Sequence, residues 1–258
     1  MSSILSLKNN TTLILKLNRP EKFNSFNRDM ALQLISELEK AEKDKTVRAI
    51  ILTGEGKAFC AGQDLAEAID PNGPGIKKIV EEHYNPIILK IRNIEKPVIA
   101  MVNGVAAGAG ANIALACDIV LAGKSASFIQ AFSKIGLIPD SGGTYTLPRL
   151  VGLNLASALM ITGDKLSAEE AKNFGMVYKV FEDAELQNKG IEFANNIAAL
   201  PTKAIGATKR LLNQTYSNTL QQQLNFEKEI QIESANSYDY NEGVKAFLEK
   251  RKPEFRGE

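Results

Sequence analysis

The chain has 258 residues, 44% hydrophobic and 24% charged, with 31 lysines and arginines against 30 aspartates and glutamates. That is enough chain to bury a large core in one or two domains, and a net charge of +1 gives no general attraction to nucleic acid or to a membrane surface. One histidine, His83, and two cysteines, Cys60 and Cys117, exclude multi-histidine metal sites and a disulfide framework, and make a carboxylate the expected acid or base.

The first residues show no cationic stretch leading into an apolar one, and no run reaches ~18 apolar residues, so the cytoplasm is the expected compartment. Ile4 to Leu7 and Thr12 to Leu17 read as paired strands turning at Asn9 and Asn10. Asp29 to Lys43 has helical spacing, with Met30, Leu34, Leu38 and Ala41 on one face. Ala49 to Thr53 is a strong strand leading into GEGKAFCAGQDL, a loop with three glycines. Ala66 to Pro74 is polar and proline-bearing, and is expected to be a mobile flap. A helix is expected over Ile76 to Ile94, with Ile79, Ile87, Leu89 and Ile91 apolar and Pro86 interrupting it; His83, beside two glutamates, is expected at the surface.

Pro97 to Val102 is a buried strand that runs into NGVAAGAGANIALACD, Asn103 to Asp118, where strand should hand over to helix. Gly104, Gly108 and Gly110 allow close approach to the main chain, and the first turn of a helix has unpaired N–H groups suited to an anion or a developing oxyanion. Tight packing of helix on sheet explains the same small residues equally well. The run does not fit GxGxxG, because the third glycine would fall at Ala111.

Ile119 to Ala122 is a further strand and Ala126 to Phe132 a short element; IGLIPDSGGT precedes a helix expected over Leu147 to Thr162. In that turn Asp140 reads either as a helix N-cap or as a functional carboxylate. From Ser167 onward helices dominate: Ser167 to Phe174, opened by an SAEE capping box, then Ala184 to Leu200, Thr202 to Gln214, Leu220 to Ser234 and Tyr240 to Lys250. Strands alternating with helices indicate an α/β fold, divided into a core over residues 1–200 and a C-terminal helical subdomain over 201–258.

FCAGQDL (Phe59 to Leu65), NGVAAGAGANIALACDI (Asn103 to Ile119) and GLIPDSGGTYTLPRLVG (Gly136 to Gly152) resemble the signature regions of the crotonase, or enoyl-CoA hydratase/isomerase, superfamily. NRPEKFNSF (Asn18 to Phe26) and AFLEKRKPEF (Ala246 to Phe255) match its terminal patterns, so the resemblance spans nearly the whole chain. It implies a spiral of ββα units, an acyl-CoA thioester ligand with no separate cofactor or metal, and a homotrimer or homohexamer formed through the C-terminal helices.

The resemblance also implies roles. Backbone amides of Gln63 and Ala109 would form an oxyanion hole. Lys22, Phe23, Gly62, Asp64 and Leu65, with Phe247 and Lys250 from a neighbouring subunit, would hold coenzyme A. Tyr84, Asn112 and Phe132 would line the acyl pocket. Hydratases of the superfamily carry glutamates where this chain has Asn112 and Phe132, whereas its isomerases carry an aspartate where this chain has Asp140. An acyl-CoA isomerase with Asp140 as proton shuttle is therefore expected, most similar to those that expand the ring epoxide of phenylacetyl-CoA, with Δ3,Δ2-enoyl-CoA isomerisation as a second activity. The alternatives are a hydratase using Asp64 or Glu67, and a non-catalytic subunit that binds CoA thioesters. Dehalogenation is disfavoured, because the histidine of that branch would fall nearer Asn85 than His83.

Overall fold

A computed structural model describes residues 2–258. Ile4–Asn9 (β1) and Thr12–Leu17 (β2) form an antiparallel hairpin whose turn places Asn10 at φ 54°, a left-handed position that asparagine tolerates. Arg28–Lys43 (α1) follows, capped by the Asn27 side chain on the Met30 amide, and buries Met30, Leu34, Leu38 and Ala41 as its spacing predicts.

The next three units repeat one plan, in which a long strand is followed by a three-residue strand and then by helix. Ala49–Gly54 (β3) and Ala58–Cys60 (β4) precede Leu65–Ile69 (α2), Gly75–Lys78 (α3), a π-helical turn at Ile79–Tyr84 and Asn85–Asn93 (α4). Val98–Val102 (β5) and Val105–Ala107 (β6) precede Ala109–Ala116 (α5). Ile119–Gly123 (β7) and Ser127–Ile129 (β8) precede a 3-10 turn, then Gly143–Val151 (α6) and Leu153–Thr162 (α7). The long strands stack in parallel as β3, β5 and β7 in one sheet, and the short ones as β4, β6 and β8 in a second, so each unit is one turn of a spiral.

Lys165–Ser167 (β9) closes the small sheet antiparallel to β8, Ala168–Asn173 (α8) carries the Ser167–Glu170 capping box, and Lys179–Phe181 (β10) joins β7. Asp183–Ala198 (α9), Thr202–Gln214 (α10), Leu220–Ala235 (α11) and Tyr238–Glu249 (α12) complete the chain.

Period-two alternation decides which face each residue of the large sheet joins. Leu13, Leu15, Leu17, Ile50, Leu52, Val98, Ala100, Val102, Val120 and Ala122 join the main core with α1, α4 and α5. Their neighbours Ile14, Ile51, Ile99, Met101 and Leu121 form a second core against Leu186 and Ala194 of α9. Both faces are dry, which is why these strands read as unbroken apolar runs. Truncating Leu52 or Ile51 to alanine removes packed methyl groups at a cost of ~2–5 kcal/mol.

Four expectations are corrected. Leu65–Ile69 is a helix capped by the Asp64 side chain, so part of the polar segment read as irregular is regular structure. The helix expected over Ile76 to Ile94 is broken into three pieces, and His83, expected at the surface, is buried four positions from Ile79 and Ile87, with Nε2 3.1 Å from the Arg28 guanidinium. The helix expected over Leu147 to Thr162 is two helices broken at Gly152, whose φ of 79° no helix accepts.

The C-terminal helices reach the core through Arg48, which donates to Thr202 Oγ1 and to the Leu200 and Phe255 carbonyls, and through Lys209, 2.8 Å from Asp118. They leave Leu220, Ile232, Phe247 and Leu248 largely exposed. No helix among the described residues is long and apolar enough to cross a membrane.

Candidate active site

The glycine and alanine run does two jobs at different residues. A Cβ on Gly104 would sit 2.1 Å from the Lys57 carbonyl oxygen, and one on Gly110 would sit 2.4 Å from that of Cys60, so these glycines permit close packing. Gly108 is different. It turns the chain from β6 into α5 at φ 53°, ψ −126°, and the nearest atom to a Cβ there is a Phe132 ring carbon at 3.7 Å.

Parallel pairing of β4 with β6 carries a second glycine turn to the same place. Gly62, at φ 97°, abuts the first turn: a Cβ on it would lie 3.0 Å from the Ala107 carbonyl oxygen and 3.8 Å from the Ala109 nitrogen. The Gly62 carbonyl accepts from the Phe26 amide and the Phe26 carbonyl accepts from the Asp64 amide, which fixes the peptide between them. Among the described residues, neither the Gln63 nor the Ala109 N–H donates to a protein acceptor. Ala109 is the first residue of α5, where the backbone N–H has no partner within the helix.

These turns open on a cleft of about 520 Å³ whose other walls are the 76–85 segment and the 131–142 segment. Its lining is mainly apolar, and Asp140 is the one charged side chain among the described residues that line it. Burial raises the Asp140 carboxyl above its ordinary value, opposed by a 2.9 Å hydrogen bond from Ser141 Oγ to Oδ1.

Asp140 does not cap the following helix. Gly142 occupies that position, and Ser141 and Gly142 are both left-handed, at φ 52° and 70°. The Asp140 main-chain oxygen accepts from the Gly143 amide and from Asn112 Nδ2, each at 2.9 Å.

Gly62, Gln63, Leu65, Tyr84, Ala109, Phe132 and Asp140 come together on the cleft. Asn112, expected in the acyl pocket, lies behind the wall: it is fully buried, bonded to Asp140 on one side and to Gln130 Nε2 at 2.8 Å on the other. Asp64 is turned from the cleft to pair with Arg19 at 2.8 Å. Glu67 accepts from the Arg28 amide and from Gln63 Nε2, so both carboxylates considered for a hydratase are engaged in holding the fold.

Lys22 ends a one-turn 3-10 segment, Pro20–Lys22, and Phe23 caps it; the Phe23 carbonyl accepts from the Ala61 amide beside the cleft, while the Phe23 side chain is exposed. Phe247 lines a separate groove among the C-terminal helices, and Lys250 caps α12, so this chain alone brings neither to the cleft.

Sequence reasoning missed Ser141, Gln130 and the second role of Tyr84. The Tyr84 ring is buried edge-on to Phe26, centroids 6.0 Å apart, and its hydroxyl donates to Gln63 Oε1 at 2.7 Å. Only Ser141 carried a signal, since a serine between aspartate and two glycines suits a side-chain-bonded turn.

The spiral of ββα units, with two glycine turns meeting over an apolar cleft, defines a crotonase-fold protein. The chain belongs to the enoyl-CoA hydratase/isomerase family, whose model matches residues 8–258. It is 47% identical to the 1,2-epoxyphenylacetyl-CoA isomerase of Escherichia coli K12, over 100% of this chain and 99% of that protein. It is 42% identical to a probable enoyl-CoA hydratase of Rhodobacter capsulatus, over 95% and 94%. A putative enoyl-CoA hydratase/isomerase from Mycobacterium abscessus superposes with a TM-score of 0.94 at 36% identity, covering 99% of this chain and 100% of that one. The protein is an enzyme of this family.

Proposed function

We propose that the protein is an acyl-CoA isomerase in which Asp140 moves a proton between two carbons of one thioester. The observation that carries this is the single carboxyl among the described residues lining the cleft, raised by burial toward working pH. The thioester carbonyl would accept from the Gln63 and Ala109 amides, which have no protein acceptor, and charge developing on that oxygen as the α-proton leaves would be stabilised by both. Asp140 takes the α-proton, the enolate delocalises, and the same proton returns at a remote carbon. Nothing is added or lost, so no redox partner enters the balance. Syn addition of water calls for an acid and a base placed together, and Asn112 and Phe132 supply neither.

The substrate proposed is the ring epoxide of a phenylacetyl-CoA-type thioester, opened to a seven-membered oxepin, with Δ3 to Δ2 isomerisation of enoyl thioesters as a second activity. The relative from E. coli supports that choice, as does an apolar cleft large enough for an aryl group. Lys22, Phe23, Gly62 and Leu65 are proposed to hold the coenzyme A portion. The exposed apolar face of the helices over 201–258 supports their proposed role as a subdomain that assembles a homotrimer or homohexamer, bringing Phe247 and Lys250 to a neighbouring cleft in a cytoplasmic enzyme.

The test is product identification by mass spectrometry and NMR with three thioesters: the ring epoxide, a 3-enoyl-CoA and a 2-enoyl-CoA. Isomers of the first two with no mass change support the proposal. Rapid gain of one water by the 2-enoyl thioester, with the others untouched, sinks it.

A further inference from the structure

Asp140 sits in a turn that costs free energy to hold. Ser141 is left-handed at φ 52° although it has a Cβ, and it is buried. A non-glycine residue in that region carries strain of ~1–3 kcal/mol and persists only where its surroundings over-determine it. Three contacts do so here. Ser141 Oγ donates to Asp140 Oδ1 at 2.9 Å, and the Gly143 amide and Asn112 Nδ2 both donate to the Asp140 main-chain oxygen. Asn112 is itself held from behind, because Gln130 Nε2 donates to its Oδ1 at 2.8 Å. Both amides are buried, and the Gln130 Oε1 atom has no partner, so Gln130 is committed to Asn112 at the expense of its own oxygen.

We infer that Ser141 and Asn112 are positioning residues for the proton transfer, an inference that rests on Asp140 being the base. The Gln130–Asn112 relay locks the peptide after Asp140, and the left-handed Ser141 folds its hydroxyl back onto Oδ1. Among the described residues Oδ2 has no hydrogen-bond donor, which leaves that oxygen for the substrate. Ser141 also sets the basicity of the carboxylate, because a hydrogen bond donated to the charged form favours it. The groups facing Asp140 leave this effect uncluttered. Tyr84 from the π-helical turn stays a neutral phenol, since burial pushes it well above its ordinary value; Gln63, Asn112 and Phe132 carry no charge.

The test is the pH profile of kcat/KM for a 3-enoyl-CoA with Ser141→Ala, Ser141→Gly, Asn112→Ala and Asp140→Asn. Loss of the hydroxyl raises the carboxyl further, so the rising acid limb moves to higher pH in both Ser141 variants. A hydrogen bond to a charged group corresponds to a shift of about one to two pH units. Ser141→Gly also relieves the backbone strain, so it folds at least as stably as Ser141→Ala and protects the test against an alanine variant that misfolds. Asn112→Ala leaves the limb in place, because it touches the peptide and not the carboxyl, but lowers kcat about tenfold or more at little change in KM. An acid limb unmoved in Ser141→Gly, or kcat unchanged in Asn112→Ala, overturns the inference. An active Asp140→Asn would instead remove the reading of Asp140 as base, so the two failures are distinguishable.

Discussion

Replacing Asp140 with asparagine removes the ionisable oxygen and almost nothing else. The side chain keeps its shape and Oδ1 still accepts from Ser141 Oγ, so the turn is retained. General acid–base catalysis by a positioned side chain contributes ~10²–10⁴-fold. Here one group both removes and returns the proton, and no second carboxyl lines the cleft among the described residues, so the upper end applies: a ~10⁴-fold fall in kcat, about 5 kcal/mol of barrier. KM should change little, since the thioester carbonyl is held by main-chain amides.

Stability should move the other way. The folded-state carboxyl is raised above its ordinary value, so between the two values the folded protein binds more protons than the unfolded chain. The parent therefore loses stability as pH rises through that window, and Asp140→Asn does not. The assay pairs steady-state isomerisation of a 3-enoyl-CoA with melting curves at pH 4 and pH 7. A variant that keeps more than a tenth of the parent kcat, or that is less stable than the parent at pH 7, refutes the reasoning.

Gly110→Ala drives a Cβ to 2.4 Å from the Cys60 carbonyl oxygen and should destabilise by ~3 kcal/mol or more, whereas Gly108→Ala meets nothing closer than 3.7 Å and costs only its backbone strain of ~1–3 kcal/mol; thermal melts should rank them in that order. Cys60 and Cys117 are buried thiols pushed up to about 12 by desolvation, so a thiol reagent at neutral pH should label neither in the native protein and both after unfolding. Tyr84→Phe leaves Gln63 Oε1 without its phenol donor and should cost ~1–3 kcal/mol of stability by urea denaturation, while a loss below about 0.5 kcal/mol would show that bond to be idle.

The large sheet was legible because its central strands are buried on both faces, so Ala49 to Thr53 and Pro97 to Val102 stand out as apolar runs. The small sheet was not, since Ala58–Cys60, Val105–Ala107 and Ser127–Ile129 are three residues each, too short for any period to show. Asp140 was legible as a residue but not as a geometry: its turn depends on two consecutive left-handed residues, and the serine in that pair gives no local sign of its φ. Asn112 shows the same limit, because its place on α5 follows from spacing while the direction of its amide depends on Gln130, eighteen positions on. His83 was misplaced because its two glutamate neighbours were given more weight than its spacing: it lies four positions from Ile79 and from Ile87, both buried, and shares their face.

The central claim, one carboxylate carrying one proton between two carbons, is tested most directly by isotope transfer. A 3-enoyl-CoA deuterated at the α-carbon is turned over once by excess enzyme in ordinary water, and the product is read by NMR. A shuttle on the half-buried Asp140 predicts deuterium at the γ-carbon of the 2-enoyl product, well above the trace that solvent would leave, and its loss in Asp140→Asn. A 3-hydroxyacyl product, or a 2-enoyl product whose γ-carbon carries only solvent hydrogen, would contradict it.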